Sequence, residues 1–125
     1  MKKTLATFLL IFLSFYSFSQ DYKVIPGEKV DFLVSFGIFN AGEASMITDT
    51  NLHSIDNEET IKIDVTGKSI GVFDLFTTVR DKWGVYITEE ELEPKKFYKY
   101  LLEGKYRKNE ILNFVENSDS VQIEI

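Results

Sequence analysis

The sequence predicts an all-β fold of mainly antiparallel strands, a curved meander sheet or partial barrel with one short helical turn near residues 72–78. Three observations predict it. Apolar and polar residues alternate with a period of two in segment after segment, the mark of half-buried strands. Aromatic residues are plentiful, with 11 Phe and 6 Tyr, and such side chains fit a pleated surface. No segment carries the sustained 3.6-residue periodicity of a long amphipathic helix.

The elements follow in order. Pro26-Gly27 is a turn signal ahead of the first strand. In Lys29 to Phe36, Val30, Phe32, Val34 and Phe36 face one way, and Lys29, Asp31 and Ser35 the other. Ala41-Gly42 reads as a turn or bulge, and Glu43 to Asp49 as a weaker second strand. Asn51 to Glu59 is polar and reads as a loop. Thr60 to Thr66 alternates cleanly, with Ile61, Ile63 and Val65 opposite Lys62, Asp64 and Thr66. Val72, Phe73, Leu75 and Phe76 suit a helical turn better than a strand. Val79 to Thr88 puts Val79, Asp81, Trp83, Val85 and Ile87 on one face, Asp81 being the misfit. Glu89 to Pro94 is an acidic turn. Lys95 to Leu102 and Tyr106 to Val115 are strands joined through Glu103-Gly104, a hairpin signal. Asn117 to Ser120 is a turn, and Val121 to Ile125 begins a last strand.

The N-terminus reads differently. Lys2 and Lys3 precede an almost wholly apolar stretch from Leu5 to Phe18, and Ser17 and Ser19 supply the small residues of a cleavage site before Gln20. The apolar stretch is 14 residues, short of the roughly 20 that span a bilayer. Residues 1–19 are therefore expected to be a secretory signal and residues 20–125 a single β-rich domain, exported to the periplasm as a soluble protein. No cysteine is present, so neither disulfides nor a lipid-modified cysteine are available. No later stretch is long and apolar enough to be a transmembrane segment. Residues 1–19 hold two of the 14 basic residues and none of the 20 acidic ones, leaving a formal −8 for the rest. Such a balance is a poor match for nucleic acid or an anionic membrane surface, and Lys95 to Lys108 is the only candidate for a local basic patch.

The residues that could carry chemistry are few. His53 is the only histidine, and a metal site with Asp49 or Asp56 would lack the convergent ligands that transition metals need, so no metal or other cofactor is expected. A Ser-His-Asp or Cys-His arrangement has no second histidine or cysteine to draw on, and no Gly-x-Ser-x-Gly elbow occurs. Glu89, Glu90, Glu91 and Glu93 form the densest acidic run, with nothing apolar around them to raise a pKa, and read as a solvated turn. No catalytic residue is expected. Asp81 on an apolar face needs a partner, and Arg107 on a neighbouring strand is the natural one; the pair would fix register or sit at the mouth of a ligand cavity. Trp83, Tyr98, Tyr100 and Tyr106 are the candidates to line such a cavity, against the ordinary alternative of cross-strand aromatic pairing.

Three ordered blocks carry a family resemblance. They are Gly27 to Ala44 (GEKVDFLVSFGIFNAGEA), Gly71 to Trp83 (GVFDLFTTVRDKW) and Leu92 to Glu110 (LEPKKFYKYLLEGKYRKNE). Together they resemble the family known as domain of unknown function 3108, in the form found in exported proteins of the Bacteroidetes group. The resemblance covers essentially the whole chain after the signal. It implies an exported, β-rich protein with no assigned activity, and a fold similar by analogy to the open curved sheets of periplasmic lipoprotein carriers. Members of the family run to about twice this length. The resemblance, with the unfinished strand pattern at Val121 to Ile125, sets the expectation that this chain is the N-terminal part of a longer domain. It supplies no catalytic residue.

The expected function is thus a non-enzymatic, carrier-like domain of the cell envelope for an apolar or amphipathic, lipid-like ligand. The alternative is a structural or assembly module that binds an envelope protein through a sheet edge. An enzyme is the weakest of the three readings.

Overall fold

A computed structural model describes residues 23–115 and 120–125. The expected signal segment and most of the turn expected at Asn117 to Ser120 lie outside the described residues. The strands are β1 (Lys29–Phe36), β2 (Phe39–Ile55), β3 (Glu58–Ser69), β4 (Arg80–Thr88), β5 (Pro94–Glu103), β6 (Tyr106–Phe114) and β7 (Val121–Glu124), with a short helix α1 (Gly71–Phe76) between β3 and β4. They form one antiparallel sheet in sequence order, β1 to β7, an open meander that does not close into a barrel.

Two connections differ from the pattern reading. The polar stretch 51–59 is not a loop. β2 runs through it to Ile55, and Asp56-Asn57 alone make the turn, with Ile55 paired to Glu58. Both turn residues have positive φ, 51° and 65°, as a two-residue hairpin of the right twist requires, and Asp and Asn tolerate that region. The polarity of the segment reflects solvent on its face rather than absence of structure. The first hairpin turns at Gly37-Ile38, because Phe36 pairs with Phe39. Ala41 is the extra residue of a bulge, since Val34 faces Gly42 while Ser35 faces Asn40.

A second irregularity lies in β2 between Thr48 and Leu52, opposite Ile63 and Ile61. Asp49 holds it. One carboxylate oxygen accepts from the Asn51 backbone N–H at 3.0 Å, and the other lies 2.9 Å from His53 Nε2. The lone histidine is thus part of the strand and closes a bulge.

The register assigns two faces. One carries the rows Val30, Met46, Val65, Trp83 and Thr48, Ile63, Val85, Phe97, Leu112, Ile123, followed by Leu52, Ile61 and Ile87. The other carries Asp31, Ser45, Thr66, Lys82 and Lys62, Tyr86, Lys96, Asn113. Alternation therefore sorts apolar from polar over much of the sheet, with exceptions such as Ile47 and Ile111 on the polar side and Asp81, Lys99 and Glu110 on the apolar side. No second layer covers the apolar face among the described residues. Ile61, 1% exposed, is buried there, while Phe32, Val34, Leu52 and Ile123 stay at least half exposed.

Tyr98 is buried on the polar face by an unusual route. Asp64, Gly84 and Tyr98 are in register on β3, β4 and β5. The phenol lies across Gly84, and its hydroxyl donates to Asp64 two strands away. A β-carbon at position 84 would meet the ring at 2.3–2.5 Å, so only glycine permits the crossing. Gly84→Ala is expected to destabilise the fold by about 1–3 kcal/mol in chemical denaturation, the usual cost of overpacking. The same substitution in a Tyr98→Ala background should cost much less; an equal cost would rule out the ring contact as the cause.

Candidate functional site

The sequence candidates do not form one site. By alternation along β4, β5 and β6, Trp83 and Tyr106 belong to the apolar face, whereas Tyr98 and Tyr100 belong to the polar one. Trp83 sits beside Gly67 and Val65, with its ring in reach of a side chain at Gly67. Tyr106 lies at the start of β6 opposite Glu103 and is half exposed. The polar-face tyrosines make a ladder, with Tyr86 6.4 Å and Tyr100 5.3 Å from Tyr98 between ring centroids. His53 stands edge-on to Tyr86 at 5.4 Å.

The expected pairing of Asp81 with Arg107 does not occur. Asp81 points to the apolar face and Arg107, opposite Leu102, to the polar one. Asp81 is buried, and its Oδ1 accepts from the Leu102 backbone N–H at 3.0 Å. The regular β4–β5 ladder ends at Lys82 and Tyr100, so the carboxylate supplies the acceptor where the backbones part. Arg107 Nη1 donates to the carbonyls of Gly104 and Tyr106 at 3.0 and 3.2 Å and so fixes the β5–β6 turn. Gly104 there has φ 59°, which explains the hairpin signal at Glu103-Gly104.

The polar face is held by a compact network around Tyr98. Lys62 Nζ reaches Asp64 at 2.9 Å and lies over the rings of Tyr86 and Tyr98, 5.9 and 5.5 Å from their centroids. Burial, and then the bond to Asp64, pushes the Tyr98 hydroxyl up to about 12. Burial also disfavours the charged forms of Asp64 and Lys62. The Tyr98 and Lys62 hydrogen bonds outweigh it at Asp64, whose pKa is lowered, and the Asp64 and Tyr98 bonds outweigh it at Lys62, whose pKa is raised. Sequence reasoning missed this network because Asp64 and Lys62 read as ordinary outward residues. Gly84 inside a strand was the available signal.

A groove of about 950 Å³ also opens on the polar side, with Ser45 and Thr66 at its floor and Tyr100 in its wall. Its charges neutralise one another: Lys29 meets Asp31 at 2.9 Å and Lys68 meets Glu43 at 3.0 Å. Lys82 also lines the groove, 3.9 Å from Asp64. On the apolar face the charged exceptions gather on β5 and β6, where Lys99 and Lys108 both pair with Glu110, the latter at 3.3 Å. Among the described residues no cluster of His, Asp and Glu is arranged to hold a metal ion, and no helix is long and apolar enough to cross a membrane.

Taken together, the described residues form an open antiparallel all-β meander with one largely apolar face and one largely polar face. The family model described as "Protein of unknown function (DUF3108)" matches residues 31–124, and the chain belongs to that family. No curated protein matches the chain, and no solved structure does.

The tyrosine network makes a pH prediction. An unfolded Tyr titrates near 10, and the folded group near 12. Stability conferred by the neutral phenol is therefore complete below pH of about 10 and is lost as pH rises toward about 12. Denaturation measured across that window should show this decline, and Tyr98→Phe should make it shallower while costing about 1–2 kcal/mol at neutral pH. An unchanged slope in Tyr98→Phe would remove Tyr98 as its source.

Proposed function

We propose that this is an exported, cell-envelope protein whose uncovered apolar face binds an apolar or amphipathic, lipid-like ligand without catalysing a reaction. One observation carries the reading. One face of the seven-stranded sheet is largely apolar from β1 to β4 and along the Phe97, Leu112 and Ile123 row, and no second layer lies over it among the described residues. Contiguous apolar surface of that extent marks a binding site in a stable protein. Of the four aromatic candidates Trp83 and Tyr106 lie on it, beside Phe32 and Phe97, and the Lys99, Lys108 and Glu110 group gives it a polar end to meet the head of an amphiphile. Tyr98 and Tyr100 contribute to the polar face instead. The signal-like N-terminus supports export, which is where such a ligand would be met.

A second reading rests on β1. This eight-residue strand ends the sheet, no strand pairs with its outer edge among the described residues, and Phe32, Leu33 and Val34 are each about half exposed. A partner strand from an envelope protein could add there.

Native mass spectrometry of the protein, recovered gently from an exporting host, separates the two. The ligand reading expects a lipid-sized adduct on the wild type. The adduct should be lost in a Phe32→Asp, Leu52→Asp double variant of the apolar face and kept in Leu33→Asp on the polar side. A bare monomer from the wild type, or an adduct indifferent to the apolar-face changes, would contradict the ligand reading.

A further inference from the structure

The meander places its turns alternately at two ends of the sheet. The β1–β2 turn, the β3–β4 connection with α1, and the β5–β6 turn share one end. The β2–β3 and β4–β5 turns share the other. The ends have opposite chemistry. At the first, Phe36, Ile38 and Phe39 project from the hairpin and Val72, Leu75 and Phe76 from α1. Ile38 is 91% exposed, Leu75 85% and Phe76 83%. At the second, Asp56, Glu58 and Glu59 meet Glu89, Glu90, Glu91 and Glu93, relieved mainly by Lys95.

The apolar end is built to keep its shape. Ile70 N–H donates to the Ala41 carbonyl at 3.0 Å, and the Gly104 N–H to the Thr78 carbonyl at 2.8 Å, which ties all three connections together. Phe73 packs edge-on against Phe36 at 6.3 Å. Asp74, the one charge on α1, is turned back into the sheet. Its two oxygens take Arg80 Nη1 and Nη2 at 2.8 and 3.1 Å, and Ser69 donates to it as well. The polar groups are thus satisfied internally and the apolar ones are presented outward. Lys105 and Arg107 stand at the neighbouring β5–β6 turn, on the same end as the apolar side chains.

We propose that this end docks on a phospholipid bilayer, with the Gly37-Ile38 hairpin tip and the Leu75-Phe76 corner of α1 entering the boundary between headgroups and acyl chains. The charge distribution selects this occupant. An anionic membrane surface repels the acidic end, and any bilayer accepts an apolar end, here flanked by Lys105 and Arg107. The domain would stand on the surface with its strands rising from it and its acidic turns in solvent. The docking surface is separate from the apolar sheet face and stands whatever that face carries.

Because the chain has no cysteine, single reporters can be placed without interference. An environment-sensitive fluorophore on Ile38→Cys, in the full chain, should shift to the blue and brighten several-fold when vesicles of phosphatidylcholine with a quarter phosphatidylglycerol are added. The same fluorophore on Glu90→Cys should not respond. Adding Leu75→Asp and Phe76→Asp to the Ile38→Cys protein should remove the response, with far-UV circular dichroism confirming that the sheet persists. A silent reporter at 38 would overturn the proposal and leave the apolar end to a protein partner. An equal response at 90 would overturn it too. Should the double Asp variant fail to fold, the comparison of positions 38 and 90 in otherwise native protein still decides.

Discussion

A β-sheet with one apolar face has to keep that face from water, and here a single layer of seven strands must do so with no second layer over it among the described residues. The rest of the architecture answers to this constraint. Without an enclosed core, the strands are held by their hydrogen-bond ladders and by devices on the polar side. The phenol of Tyr98 spans three strands across Gly84 to reach Asp64, and Lys62 covers it from above. Asp81 fills a gap in the ladder between β4 and β5, and Asp49 closes the bulge in β2. Each of these commits a polar side chain to register or closure.

The two faces and the two ends then divide the molecule's surface by character. The polar face pairs several of its own charges, Lys29 with Asp31, Lys68 with Glu43 and Lys62 with Asp64. The apolar face is not satisfied by anything in the described chain, and the end that carries α1 is not either. The lipid-like ligand proposed for the face and the bilayer proposed for the end are chemically of one kind.

Much of the fold was legible in the sequence, because alternation is a strong signal where one face is wet and the other apolar. The strands from Thr60 onward, the helical turn around Val72 to Phe76 and the Glu103-Gly104 hairpin all lie where the pattern puts them. The second half of β2 was not legible. Its Asp56-Asn57 turn lacks the glycine that normally marks such a hairpin, and its strand is polar enough to resemble a loop. The candidate site was half legible. The sequence marks Trp83, Tyr98, Tyr100 and Tyr106 as aromatic strand residues, but which of them share a face depends on how β4, β5 and β6 align. Composition cannot supply that register. Asp81 was correctly seen as anomalous on its face, yet its partner is a backbone amide, which no side-chain pattern can point to.

The central claim is that the uncovered apolar face takes up an amphiphile, and the protein's single tryptophan, Trp83, lies on that face. The most direct measurement is Trp83 emission and its quenching by iodide during titration with a lysophospholipid kept below its micelle concentration. The account predicts a saturable blue shift with protection from the quencher. Emission and quenching that stay constant throughout the titration would contradict it.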